Sequence, residues 1–302
     1  MTCVYLDNNA TTQPADAVID AICEVNTELW ANPSSVHRFG QMVRQRLDLA
    51  RADVAKLIGC RDRELIFTSG GTESNNLALK GVLVRPGSHD NRRRVLITTR
   101  MEHAAVREPA GELADALTVA YVPMDSQGRV NPDQFAAVLV EHAHPNSLTL
   151  VSVQWVNNET GVIQPVAELV ECCRQYQQRT GSRVLFHTDA TQAVGKITVD
   201  VKSAGIDLLT LSAHKFHGPK GIGGLFVRTG VRLRPQQLGG PHEREKRGGT
   251  ENTAGIIGMG VAADLARSLI ADVQTITGLT GMRDRFEQAI CRAMADTVVN
   301  SG

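Results

Sequence analysis

From residue 64 onward the chain alternates short apolar runs with longer stretches of helical periodicity. The runs at 64–68, 95–99, 118–122, 149–153, 184–188, 207–211 and 224–227 are nearly continuous in apolar character, the pattern of strands buried on both faces. Between them, 75–84, 104–116, 132–140, 166–178 and 191–194 carry apolar residues at helical spacing. Strands separated by helices predict crossover units, and therefore an α/β fold built on a mainly parallel seven-stranded sheet.

Both ends of the chain read as helical. Residues 44–57 form an amphipathic pattern ending near Gly59, 253–273 a long helix containing Ala and Gly, and 282–295 a second helix before the strand-like residues 297–299. The sequence stops there, on what reads as the first residues of a strand. We therefore expect residues 1–14 to belong to a small α+β domain, 15–262 to form the large domain, and 263–302 to open the rest of the small domain, whose greater part is missing.

A length of 302 residues suggests about two domains, burying roughly three quarters of the unfolded chain's surface. With 42% apolar and 21% charged residues, disorder is excluded. Lys+Arg (32) balance Asp+Glu (32), and no basic block interleaved with aromatics offers the counterion release that drives nucleic-acid binding. Nucleic acid is not expected, and Arg92-Arg93-Arg94 reads as a solvated loop. No run approaches the ~20 apolar residues of a membrane span, and the opening Leu6-Asp7-Asn8-Asn9 is not a signal peptide, so a cytoplasmic location is expected. The six cysteines show no metal or Cys-x-x-Cys spacing, which predicts reduced thiols; the adjacent Cys172 and Cys173 read as packing residues of a helix.

In open parallel sheets ligands bind beyond the carboxyl ends of the strands, so the residues following each strand hold the candidate chemistry. Ser69-Gly70-Gly71-Thr72-Glu73 opens a helix and could cradle a phosphate, although a plain capped helix start fits as well. His103 follows the second run and could stack on a flat ligand or move protons; a loop histidine is the simpler alternative. The amides of Asn157 and Asn158 follow the fourth. Asp189 ends the fifth, where a buried carboxylate calls for a cationic partner. Ser212-Ala213-His214-Lys215 follows the sixth, with a lysine positioned to attack an aldehyde. His214 and His217 could be metal ligands but lack a companion Cys or carboxylate pair, so no metal is expected. Each signal alone is weak. Together, a phosphate cup, a stacking histidine, a strand-end acid and a lysine describe a pyridoxal 5'-phosphate site.

The segments Tyr5-Leu6-Asp7-Asn8-Asn9-Ala10-Thr11-Thr12, Asn32-Pro33-Ser34-Ser35-Val36-His37, Phe67-Thr68-Ser69-Gly70-Gly71-Thr72-Glu73-Ser74, Asn157-Asn158-Glu159-Thr160-Gly161, His187-Thr188-Asp189-Ala190-Thr191-Gln192, Ser212-Ala213-His214-Lys215 and Arg247-Gly248-Gly249-Thr250-Glu251-Asn252 run in order from residue 5 to about 262. In these the chain resembles the cysteine desulfurases of the class V aminotransferase group, most closely the branch tied to nitrogenase iron–sulfur assembly. The resemblance implies a fold-type-I pyridoxal-phosphate transferase that turns L-cysteine into L-alanine and passes the sulfur on as a persulfide to an iron–sulfur scaffold protein. It implies that Lys215 carries the cofactor and shuttles protons, that Asp189 holds the pyridine nitrogen, and that His103 stacks on the ring and assists proton transfer. Gln192 would bond the ring hydroxyl, Asn158 would lie near cofactor and substrate, and Gly71, Thr72, Ser212 and His214 would hold the phosphate. Thr250 would reach the phosphate of a partner subunit, implying a homodimer. The resemblance also places a sulfur-accepting cysteine and a carboxylate-binding arginine in the last quarter of such chains, beyond residue 302 here. A selenocysteine lyase, another class V enzyme, or a catalytically silent cofactor-binding dimerisation or scaffold protein are the alternatives.

Overall fold

The structure is a computed structural model describing residues 4–84 and 92–299. Seven strands, β1 (Leu65–Thr68), β2 (Arg93–Thr98), β3 (Thr118–Tyr121), β4 (Ser147–Ser152), β5 (Arg183–Asp189), β6 (Leu208–Ser212) and β7 (Gly223–Val227), form one sheet in the order β1-β7-β6-β5-β4-β2-β3. Strand β7 runs antiparallel to both of its neighbours, whereas β6, β5, β4, β2 and β3 pair in parallel. Because β7 reverses direction twice over, β1 points the same way as those five. The expected mainly parallel sheet is present, and the carboxyl ends of six strands share one edge.

Every residue of β1, β4, β6 and β7 is buried, because helices cover both faces. Helices α3 (Gly71–Leu83) and α4 (Ala104–Leu113) close one side with Leu77, Leu79, Val82, Val106 and Ala110 packed on Leu96, Leu150, Leu185 and Leu225. On the other side α1 (Asp16–Thr27), α2 (Arg38–Leu57), α5 (Pro132–His142), α6 (Val166–Thr180) and α7 (Thr253–Ala271) pack Val25, Leu47, Phe135, Leu169 and Met259 against Phe67, Ile97, Val151 and Phe186.

Helix α7 corrects one expectation. An 18-residue window of its 19 residues has a mean hydropathy of 1.5, long and apolar enough to cross a membrane, yet the helix packs on α1 and α2 as a core element. The approach to α2 is so close that a Cβ on Gly260 would lie 2.6 Å from the Cα of Ala50, which is why small residues recur along it. Five further expectations are corrected. Residues 191–194 form a turn in which Ala193 and Val194 both donate to the Ala190 carbonyl. The two helices expected at the C-terminal end break at Asp272, whose side chain caps Gln274 and Thr275, so that 273–281 joins 282–293 in one helix, α8 (Val273–Ala293). Residues 297–299 are not in a strand. Arg93 and Arg94, expected in a solvated loop, open strand β2, and helix α1 was not expected at all.

An ion-pair network braces the segment 242–252. Glu243 accepts two hydrogen bonds from the buried Arg51, at 2.6 and 3.0 Å, and one from the Phe67 N–H, while Arg51 also lies 4.6 Å above the Phe67 ring. Glu243, Arg244 and Glu245 take positive φ angles of 45°, 55° and 63°, a costly run for side-chain-bearing residues that the buried pair holds in place. Arg44 bonds Glu251 at 2.8 Å and Arg247 bonds Glu73 at 2.9 Å. Cys23, Cys60, Cys172, Cys173 and Cys291 are free thiols, and Cys3 lies outside the described residues.

Candidate active site

A cavity of about 450 Å³ opens at the carboxyl edge of the sheet, within the size range of small-molecule and cofactor sites. Its lining includes nine of the ten residues selected from the sequence: Gly71, Thr72, His103, Asn158, Asp189, Gln192, Ser212, His214 and Lys215. Thr250 is the exception and sits exposed on the braced segment. Asp7, Asn9, Ala10, Asn75, Ala105, Gln154 and Thr191 complete the wall and were not selected.

At one end the first turn of α3 presents its N–H groups, which have no partner within the helix. Gly70 stands before it at φ 155°, and a Cβ on Gly71 would lie 3.2 Å from Thr191 Oγ1 and 3.7 Å from Ser212 Cβ. The glycine therefore keeps this corner open for an anion. His214 lies beside it, its Nδ1 3.1 Å from Thr11 Oγ1; burial first, then the charges of Lys215 and Lys220, lower its pKa.

Asp189 ends β5 almost fully buried. Among the described residues no cation hydrogen-bonds to it, and Lys215 acts on it only at longer range: Oδ2 accepts from Asn75 Nδ2 at 2.7 Å and Oδ1 from the Thr191 N–H at 2.9 Å. Two neutral donors fix the carboxylate, and Asn75 Oδ1 is left without a hydrogen-bond partner. Below it, the buried ring of His187 spans Ser152 Oγ and Thr210 Oγ1, and burial pulls its pKa down to about 4, so the ring is neutral.

Lys215 follows β6 after one turn. Its Nζ donates to the carbonyls of Asn9 at 2.5 Å and Ala10 at 2.9 Å. Burial lowers its pKa against the opposing pull of Asp189 and Asp7. The same Asn9 carbonyl accepts from Gln192 Nε2 at 2.9 Å, and Gln192 Oε1 accepts from Lys196. A lysine can only donate, so this contact fixes which face of the Gln192 amide carries its N–H groups. The segment holding Asn9 is itself tied down by Thr12, whose N–H and hydroxyl both reach the His214 carbonyl, at 2.8 and 3.0 Å.

His103 caps α4 by accepting the Ala105 N–H on Nδ1 at 3.1 Å, so in the neutral ring the proton sits on Nε2. Asn158 closes the rim, with Oδ1 accepting from Gln154 Nε2 at 3.3 Å. None of the described cysteines lines the cavity, and among the described residues no group of His, Cys, Asp and Glu is placed to hold a metal ion.

The comparisons with known proteins agree with this geometry. The model of the family described as aminotransferase class-V matches residues 4–277, and the chain belongs to that family. It is 42% identical over 301 residues to cysteine desulfurase IscS of Dictyoglomus turgidum, covering 98% of this chain and 72% of the relative. It is 41% identical to cysteine desulfurase NifS of Azotobacter vinelandii, covering 96% and 68%. A solved structure described as SspA in complex with cysteine superposes with a TM-score of 0.79 at 34% identity, covering 87% of this chain and 72% of that one. The near-equal identities to IscS and NifS do not single out the nitrogenase branch. The family depends on pyridoxal phosphate, and the residues here fit the group: an anion corner at a helix N-terminus, an acid fixed by neutral donors and an amine lie around one cavity.

Proposed function

We propose that the chain is a cysteine desulfurase, taking L-cysteine as substrate, releasing L-alanine and passing sulfur as a persulfide toward iron–sulfur cluster assembly. What carries the reading is the convergence of Lys215, Asp189, His103 and the α3 N-terminus on one cavity at the strand ends. Bound pyridoxal phosphate supplies an aldehyde for amines and an electron-withdrawing ring that acidifies the substrate Cα–H.

The chain's own residues supply binding and proton handling. The first turn of α3 with Gly71 and Thr72, together with Ser212 and His214, binds the phosphate. Asp189, held in line by Asn75 and Thr191, would accept a hydrogen bond from the protonated ring nitrogen. Gln192 offers an N–H to the ring hydroxyl, and Asn158 lines the rim beside the substrate. Lys215, its amine made less basic by burial, holds the cofactor and moves a proton at the substrate Cα. His103 lines the cavity where it would stack on the ring, with its Nε2 proton available for transfer. The SspA neighbour with bound cysteine supports the choice of substrate. The persulfide would form on an acceptor thiol, which takes the substrate sulfur as the C–S bond breaks and its electron pair passes to the carbon that becomes alanine; no described cysteine lines the cavity, so that thiol would come from outside its wall, with an iron–sulfur scaffold protein the proposed final recipient.

We further propose a homodimer in which Thr250, exposed on its braced segment, completes the partner's phosphate site. The division at 1–14, 15–262 and 263–302 and a cytoplasmic location are part of the same reading. The test is a titration of the purified chain with pyridoxal phosphate, followed by assay of alanine and sulfide from L-cysteine, with L-selenocysteine as the competing substrate. Wild-type protein should turn yellow, and Lys215→Ala should lose both the colour and alanine formation. A colourless wild type rejects the cofactor site, and a cofactor-loaded chain supplied with the sulfur-accepting segment that the resemblance places beyond residue 302, yet forming no alanine from cysteine, rejects the substrate.

A further inference from the structure

Glu102 precedes His103 but does not line the cavity; its side chain is buried, with the residue 3% exposed. Oε1 accepts the Gln154 N–H at 3.0 Å and the Thr99 hydroxyl at 2.8 Å. The Gln154 bond joins the turn after β2, which carries His103, to the turn after β4, which carries Gln154 and Asn158, while the Thr99 bond holds the Glu102 side chain within its own turn. The other oxygen, Oε2, is buried without a hydrogen-bond partner. A carboxylate with a bare buried oxygen is far costlier than a neutral acid. The groups facing it are Thr99 from the β2 turn, Gln154 from the β4 turn and Asp189 from β5; the one charge among them is of like sign. Burial pushes its pKa up to about 8, partly opposed by the bonds from Gln154 and Thr99 and reinforced by Asp189.

We propose that Glu102 is a positioning residue that works as a neutral acid, pinning the His103 turn to the Gln154–Asn158 turn without adding a second negative charge beside Asp189. Its effect on cofactor binding rests on the function proposed above; its protonation is a property of the chain alone.

The test has two arms. Urea unfolding of the full chain, wild type against Glu102→Gln, is followed from about pH 5 to 8.5. The unfolded carboxyl titrates near its ordinary 4.5 and the native one near 8, so between those values the native state holds the extra proton and stability falls as pH rises. The wild-type unfolding constant relative to that of Glu102→Gln should climb about tenfold per pH unit in that window and level off outside it. In the second arm, pyridoxal-phosphate affinity at pH 7 should stay within about threefold for Glu102→Gln, which keeps the Oε1 acceptor, and fall by about tenfold or more for Glu102→Ala. A ratio of unfolding constants that does not change with pH overturns the proposal, as does a Glu102→Gln that loses affinity as severely as Glu102→Ala. A wild type that binds no cofactor rejects the cofactor reading, and the pH slope still decides the state of Glu102.

Discussion

An amine attacks an aldehyde only when neutral, so the reactivity of Lys215 is set by what surrounds its Nζ. Partial burial lowers its pKa, while Asp189 and Asp7 pull the other way. The rate at which the chain takes up pyridoxal phosphate should therefore rise with pH on the alkaline side of neutrality and level off at a lower pH than an exposed lysine would show. Stopped-flow absorbance reads this directly, and a profile that continues to rise as for free lysine would refute the burial argument. Lys215 was legible in the sequence because it closely follows a strand, as were Asp189 and His103. Asn9 was not selected from its own surroundings: its carbonyl meets Lys215 across 206 positions of chain. Asn75 was hidden for a related reason, since it sits one turn inside α3 and reads as an ordinary helix residue until the fold brings it 2.7 Å from Asp189. Asp189 looked in need of a cation because a sequence shows charges more readily than the neutral donors that a fold delivers.

At the scale of elements, apolar runs located all seven strands to within about two residues, since a strand buried on both faces announces itself by composition. Helix ends were harder to place. Helix α8 continues through Gly278 and Gly281, weak helix formers, and α1 has a short apolar stripe preceded by no strand. The braced segment 242–252 was invisible as structure because its order depends on Arg51 in α2. That dependence can be measured: Glu243→Gln leaves the Arg51 guanidinium buried without its counter-charge, and removing one partner of such a pair costs about 3–5 kcal/mol. Urea unfolding should show that loss, whereas Lys56→Ala, which breaks the exposed pair with Asp53, should cost under about 1 kcal/mol. Equal losses from both would mean that Glu243 is not the anchor of the segment.

At the scale of the molecule the open question is whether the cavity is complete within one chain. Thr250 stands exposed outside it, on a segment tied to α2 through Arg44–Glu251 and Arg51–Glu243 and to the anion corner through Arg247–Glu73. Exposed Trp30, Val36 and Phe39 between α1 and the first turn of α2 add apolar surface of the kind that association covers. If Thr250 serves the partner's site, a hybrid of Lys215→Ala and Thr250→Ala chains contains one site lacking both groups and one lacking neither. Each variant alone should bind pyridoxal phosphate weakly or without colour, and mixing them under conditions that exchange subunits should restore one full-affinity yellow site per hybrid dimer. Hybrids make up about half of an equimolar mixture by random pairing, so about a quarter of all sites should recover. Sedimentation should place the 32.7 kDa chain at twice its mass under the same conditions. Recovery requires the threonine to act across the interface, because a Thr250 that served its own chain's cavity would leave every site in the mixture with one defect.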